Sequence, residues 1–216
     1  MRPALAASGG CFVGPESRLK PFVDDLVRRV GTAPLRRTAA EFDYLGAMRH
    51  YAGCDDLGGQ ACAPGWSGGG GGIGRNAYVG TSRMLTKPLS DPQAAADLLT
   101  GEPGLFTIID AAGGAIGRVG PHESAFPHRA ALGSFQVLHD VNASAGDEAY
   151  ARRAIGVVRD ELGKEFGTAG YVNYLDPEMP DWARAYYGDS LPRLRALARK
   201  YDPERLFAFP QGLSGT

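Results

Sequence analysis

The chain has 216 residues, with 23 Lys plus Arg against 24 Asp plus Glu, so its formal net charge is −1. Hydrophobic residues make up 44% and charged residues 22%, a globular composition with enough apolar material for a sizeable core. That balance supplies no basic field for nucleic acid or an anionic membrane, and no apolar run approaches the roughly 20 residues of a membrane span. The apolar stretch after Met1 is too short for a secretion signal, so the chain is expected to be cytoplasmic.

Gly9 to Val13 reads as a short strand. Pro15 to Val30 follows as an amphipathic helix, with Leu19, Phe22, Val23, Leu26, Val27 and Val30 at spacings of three and four and Gly31 at its C-terminal end. Pro34 to Thr38 is a candidate second strand, and Phe42 to Tyr51 a helix with Leu45 and Met48 on one face. From Cys54 to Arg75 the apolar period disappears, and Gly68 to Gly72 is unbroken glycine. This stretch, 54–75, predicts a flexible Gly-rich loop. The three cysteines, Cys11, Cys54 and Cys62, are an odd number with no Cys-x-x-Cys spacing, which predicts free thiols and no metal site.

Ala77 to Lys87 is extended and partly alternating. Asp91-Pro92 opens a helix through Leu99, with Pro in the first turn, where its missing N–H costs little. Leu105 to Asp110 predicts an apolar strand, Gly113-Gly114 a turn, Ala115 to Val119 a short strand, and Leu132 to Val141 another with Phe135, Val137 and His139 on one side. Ala145 to Phe166 is the longest helix, with Ala151, Ala154, Ile155, Val158 and Leu162 as its core face. Gly170 to Tyr174 reads as a strand, and Ser190 to Tyr201 as a closing helix ended by Asp202-Pro203. The pattern predicts one α+β domain over 1–216, a mainly antiparallel sheet with helices on one face.

General motifs for chemistry are sparse. There is no P-loop, no Gly-x-Ser-x-Gly and no His-Glu-x-x-His. His50, His122, His128 and His139 lack metal-ligand spacing, and His122-Glu123 reads as a solvated loop pair. The cluster Tyr171-Val172-Asn173-Tyr174 stands out, with alternation placing Tyr171 and Tyr174 on opposite faces. Read from these residues alone it is either a core strand or a site. A phenol near pKa 10 needs a setting that stabilises its anion before it acts as a base.

The run Tyr171-Val172-Asn173-Tyr174-Leu175-Asp176, then Trp182, Tyr186-Tyr187-Gly188, Arg193-Leu194, Tyr201-Asp202-Pro203, Phe207 and Gln211, resembles the C-terminal signature of berberine bridge enzyme-like flavoproteins of the vanillyl-alcohol-oxidase superfamily. The likeness extends to Gly113-Gly114-Ala115-Ile116, to Ala125-Phe126-Pro127-His128-Arg129, and to Gly9 through Leu26 with Phe42-Asp43-Tyr44-Leu45 and Tyr51-Ala52-Gly53. It covers nearly the whole chain apart from the Gly-rich loop, with the berberine-type motif at 169–213.

The resemblance implies an FAD-dependent oxidoreductase that oxidises a hydroxyl-bearing small molecule, a secondary metabolite or a sugar. Only the substrate domain is matched. The FAD-binding domain, with its covalent His and Cys anchors, has no counterpart in the sequence. FAD is therefore expected only with a partner, either an FAD-binding domain polypeptide or a homo-oligomer. Carried over by position, Tyr174 is the base that takes the substrate hydroxyl proton, and Asn173 with Tyr174 borders the flavin. Arg118 stands where some members place a carboxylate base; it is a candidate for orienting an anionic or carbonyl-bearing substrate, or else a surface strand residue. The alternative is a non-catalytic remnant or a small-molecule binding module.

Overall fold

The computed structural model describes residues 6–55, 62, 76–141 and 148–213. The chain divides into two compact units, Met1–Arg75 and Asn76–Thr216, where the sequence suggests one domain.

The first unit holds two helices. α1 (Glu16–Val30) ends on Gly31, whose φ of 74° lets its N–H bond the Val27 carbonyl at 3.1 Å. α2 (Tyr44–Tyr51) starts on Asp43, whose carboxylate accepts from the Gly46 N–H at 2.6 Å. Neither helix has a buried residue. Gly9–Val13 and Pro34–Thr38 are not strands. Each is short and carries Gly or Pro, and no ladder partner exists for either among the described residues. Cys54 and Cys62 are joined by a disulfide, while Cys11 is free and exposed. This corrects the expectation of three thiols: an eight-residue separation brings the two Cα atoms to 5.6 Å, within bridging reach. Most of the Gly-rich loop, Gly68–Gly74 included, lies outside the described residues.

The second unit is built on an antiparallel three-stranded sheet of order β1-β3-β2, from β1 (Tyr78–Leu85), β2 (Leu105–Ala111) and β3 (Gly133–Asp140). α3 (Pro92–Thr100) precedes β2 and is capped by Asp91, which accepts from the Gln93 and Ala94 N–H groups at 3.0 Å. α4 (Glu148–Phe166) lays Ala151, Ile155, Val158, Leu162 and Phe166 against Val79, Phe135 and Val137 to form the main core. The alternation of β3 dictates this face: Phe135, Val137 and His139 all turn inward. Mixed α and antiparallel β architecture is thus as expected.

Two predicted strands are turns instead. In 114–118 the Ile116 N–H closes on the Gly113 carbonyl at 2.9 Å, and Gly113 and Gly114 take φ of 140° and 49°. In 171–174 the Tyr174 N–H bonds the Tyr171 carbonyl at 2.9 Å. Aromatic and β-branched residues suggested a strand there, but β-propensity measures fit to a half-buried sheet surface, and local turn closure wins. The short helix α5 (Trp182–Tyr187), not anticipated, packs Ala185 and Tyr186 with Met179 into a second small core. A 3₁₀ turn at Gly188–Ser190 leads into α6 (Leu191–Tyr201), whose start at Ser190 lacks a side-chain cap bond. Asp202 ends α6 and accepts from the Leu206 and Phe207 N–H groups. No described helix is long and apolar enough to cross a membrane.

Candidate functional site

Strand register assembles the site. Met84 of β1, Ser134 of β3 and Asp110 of β2 lie in one row across the sheet. Residues directly opposite each other in an antiparallel pair project to the same face, so this row lies opposite the core face of Phe135 and Val137. The row forms part of a cavity of about 470 Å³, completed by Ile116, Phe126 and Arg129 from the connection between β2 and β3 and by Tyr171 and Tyr174.

Tyr174 donates its hydroxyl proton to Asp110 Oδ2 at 2.8 Å. Burial first, then this bond and the charge of Asp110, push the Tyr174 phenol up to about 12. At neutral pH the ring therefore carries its proton. Tyr171 stands edge-on to Tyr174, with ring centroids 5.1 Å apart, and Phe126 stands edge-on to Tyr171 at 5.5 Å. Such edge-to-face contacts fix ring orientation as well as adding apolar area. Tyr171 and Tyr174 thus share one cavity and do not point to opposite faces. The turn makes the difference: three residues of tight turn do not preserve the period-two alternation of an extended strand.

The three candidate residues fare differently. Tyr174 lines the cavity. Asn173 is exposed and supports it from outside, its Nδ2 donating to the Tyr171 hydroxyl at 2.8 Å. Arg118 is exposed in the 114–118 turns and is not a cavity residue. The cavity guanidinium is Arg129, which donates to the Phe126 and Ile116 carbonyls at 3.1 and 3.3 Å and lies 5.0 Å over the Phe126 ring. His128, half-buried beside it, contacts the Tyr186 carbonyl through Nε2 at 3.1 Å, and burial lowers its pKa. His122 and Glu123 are exposed, with Glu123 accepting from the Gly120 N–H. Asp110 was not singled out from sequence. The available signal was an acidic residue near the end of an otherwise apolar strand, just before a Gly-Gly turn.

β1 holds the tyrosine turn in place. Ser82 Oγ, fully buried, accepts from the Tyr171 N–H at 2.9 Å and lies 3.3 Å from the Tyr171 and Tyr174 carbonyls. Arg83 donates to the Thr168 carbonyl at 3.1 Å, and the Met84 N–H to the Ala169 carbonyl at 2.9 Å. Farther along, buried Asp176 pairs with Arg159 of α4 at 3.1 Å and accepts from the Glu178 N–H, while its own N–H bonds the Tyr186 hydroxyl. Among the described residues no group of three His, Cys, Asp or Glu side chains is gathered to hold a metal.

Against this geometry, the family description "Berberine and berberine like" matches residues 170–214, the segment carrying the tyrosine turn and the Asp176 network. By this segment the chain is similar to berberine bridge enzyme-like proteins. An uncharacterized FAD-linked oxidoreductase, YgaK of Bacillus subtilis, is 41% identical over 104 residues, covering 48% of this chain and 22% of YgaK. Chitooligosaccharide oxidase of Gibberella zeae is 26% identical over 217 residues, covering 94% of this chain and 42% of that enzyme. The solved structure of wild-type Physcomitrella patens BBE-like 1 aligns with a TM-score of 0.76 at 25% identity, over 93% of this chain and 42% of that one. The chain therefore spans less than half the length of these relatives.

Proposed function

We propose that the cavity of the second unit is the substrate half of an FAD-linked oxidoreductase site acting on a hydroxyl-bearing small molecule, with a sugar as the foremost substrate class. Two relatives support the sugar reading by name, a chitooligosaccharide oxidase and a carbohydrate oxidase of Microdochium nivale. The FAD-binding region comes from outside residues 1–216. The residues here suit one border of a flavin ring: Met84, Ile116 and Phe126 offer apolar surface, and Tyr171 and Tyr174 present hydroxyl-bearing rings beside it. Bound FAD supplies the hydride acceptor.

The observation that carries this reading is the Tyr174–Asp110 contact. A phenol held near 12 is a poor standing base, so Tyr174 does not wait as phenolate. Tyr174 instead passes its own proton to Asp110 Oδ2 as its oxygen receives the proton of the substrate hydroxyl. The substrate O–H bond breaks, the tyrosine O–H is restored, and the proton rests on the carboxylate. The aromatic walls suit a pyranose, whose C–H faces pack on rings while its hydroxyls meet polar edges. Ala111, Ala112 and Gly133 leave room for it.

The test reconstitutes the chain with an FAD-binding region and measures dye reduction with chitooligosaccharides. Tyr174→Phe and Asp110→Ala should each lower turnover by about 10²–10⁴-fold with little change in KM. Wild-type turnover in Tyr174→Phe would remove the tyrosine from the mechanism. Saturable sugar binding without turnover would favour a binding module.

A further inference from the structure

We infer that Ser82 is the positioning residue of the Tyr174–Asp110 pair. The importance of that pair for catalysis rests on the function proposed above; the positioning itself is independent of it. Tyr174 and Asp110 belong to segments 64 positions apart. Asp110 is fixed by the sheet, since it is paired in register with Ser134. Tyr174 has no such frame, because its segment is a turn and not a strand.

Arg83 and the Met84 N–H hold the chain just before the turn, at Thr168 and Ala169, and within 171–174 the backbone is tied to the sheet by the Ser82 hydroxyl. Ser82 Oγ accepts the Tyr171 N–H at 2.9 Å, and its own proton is shared between the Tyr171 and Tyr174 carbonyls, each 3.3 Å away. The same Tyr171 carbonyl takes the Tyr174 N–H that closes the turn. Both ends of the turn therefore meet at Ser82, which sets the backbone from which the Tyr174 ring reaches Asp110. The approach is close: a Cβ placed on Gly170 would lie 3.2 Å from Ser82 Oγ and 3.3 Å from the Ser82 carbonyl, so a side chain there would make its neighbours give by a few tenths of an ångström. Ser82 is fully buried, so water cannot take over its bonds. Alanine there would leave the Tyr171 N–H without its partner and free the turn to shift. A displacement of about 1 Å lengthens a 2.8 Å bond beyond useful hydrogen-bond range.

The experiment is nuclear magnetic resonance of the full chain at neutral pH, with ¹³C at the phenolic carbon of tyrosine and the Tyr174 signal assigned by its loss in Tyr174→Phe. This carbon reports the hydrogen bond of its own hydroxyl, whereas global stability leaves it unmoved. Asp110→Ala defines the position of the signal without the carboxylate. Ser82→Ala is expected to carry the Tyr174 signal to that same position, Ser82→Thr to return it toward wild type, and Val158→Ala, a core truncation in α4, to leave it in place. If Ser82→Ala fails to fold, the near-isosteric Ser82→Cys should move the signal part of the way, since a thiol is a weaker acceptor. A wild-type signal in the folded Ser82 variant, with Asp110→Ala shifted, overturns the role of Ser82 while leaving the pair intact. A wild-type signal in Asp110→Ala overturns both the pair and the function built on it.

Discussion

α1 and α4 are both amphipathic by sequence, yet only one of them buries its apolar face. α4 places Ala151, Ile155, Val158, Leu162 and Phe166 in the core, all at most 5% exposed. α1 carries Phe22, Leu26 and Val30 at spacings of four, and these remain 66%, 43% and 64% exposed. α2 repeats the pattern, with Leu45, Met48 and Tyr51 exposed, and Cys54 is the one buried residue among the described residues of the first unit. Periodicity decides where a helix forms and which stripe is apolar. Burial of that stripe depends on what stands opposite. In the second unit the opposing surface is the inward face of β1 and β3, supplied by the alternation of Val79, Phe135 and Val137.

The strongest way to break this contrast is core truncation. Phe135→Ala removes a fully buried ring that packs 5.5 Å from Phe166 and should destabilise the second unit by about 3–5 kcal/mol. Leu26→Ala, the same kind of truncation on the exposed face of α1, should stay within about 0.5 kcal/mol. Urea denaturation followed by circular dichroism measures both. Equal losses at the two positions would show that the α1 face is covered in solution.

Most elements were legible from sequence for the same physical reason. Helices α1, α2, α3, α4 and α6 show helical period, and strands β1, β2 and β3 are alternating or apolar runs of at least six residues. The failures are runs of about five residues: Gly9–Val13, Pro34–Thr38, 115–119 and 170–174. At that length composition cannot separate a strand from a turn, since a strand also needs a neighbour. Of the site, Tyr174 was found because it lies in a recognisable motif. Asp110 was missed because its role comes from strand register, which sets β2 against β3 and brings a carboxylate beside a tyrosine 64 positions away. Arg118 was carried over by position onto an assumed strand after Gly113-Gly114, where the glycines make turns, and the cavity guanidinium is Arg129. Non-local pairing of this kind is invisible to local periodicity.

Helix caps sharpen the comparison at a smaller scale. Asp43 and Asp91 each begin a helix and accept backbone N–H groups, Asp43 in the first unit and Asp91 in the second. Replacement by alanine removes about 1 kcal/mol of helix stability at either cap. The consequence should differ. Leu98 and Leu99 tie α3 to the core, so Asp91→Ala should lower the unfolding midpoint of the second unit. α2 buries no residue, so Asp43→Ala should accelerate hydrogen exchange within Tyr44–Tyr51 and leave that midpoint alone. A fall in the midpoint in Asp43→Ala would mean that the units unfold together.

The smallest expected effect is a pH dependence confined to the second unit. His128 is pushed below its ordinary 6.5, first by burial, against which the nearby backbone carbonyls act only in part. Its Nε2 lies 3.1 Å from the Tyr186 carbonyl, so the neutral ring serves as donor there without a charge. The unfolded chain then binds a proton at this ring more readily than the folded chain does. Stability from this source is fully present above about pH 6.5 and falls as pH drops from there toward the lowered folded value. Below that value both states are protonated and no further loss comes from His128. His128→Gln retains a donor but cannot titrate, so its unfolding midpoint should hold nearly level between pH 7 and 5 where the wild type declines. Thermal unfolding across that range, read on both proteins, makes the comparison. Parallel slopes would place the acid sensitivity on other groups and leave His128 as a neutral packing residue beside Arg129.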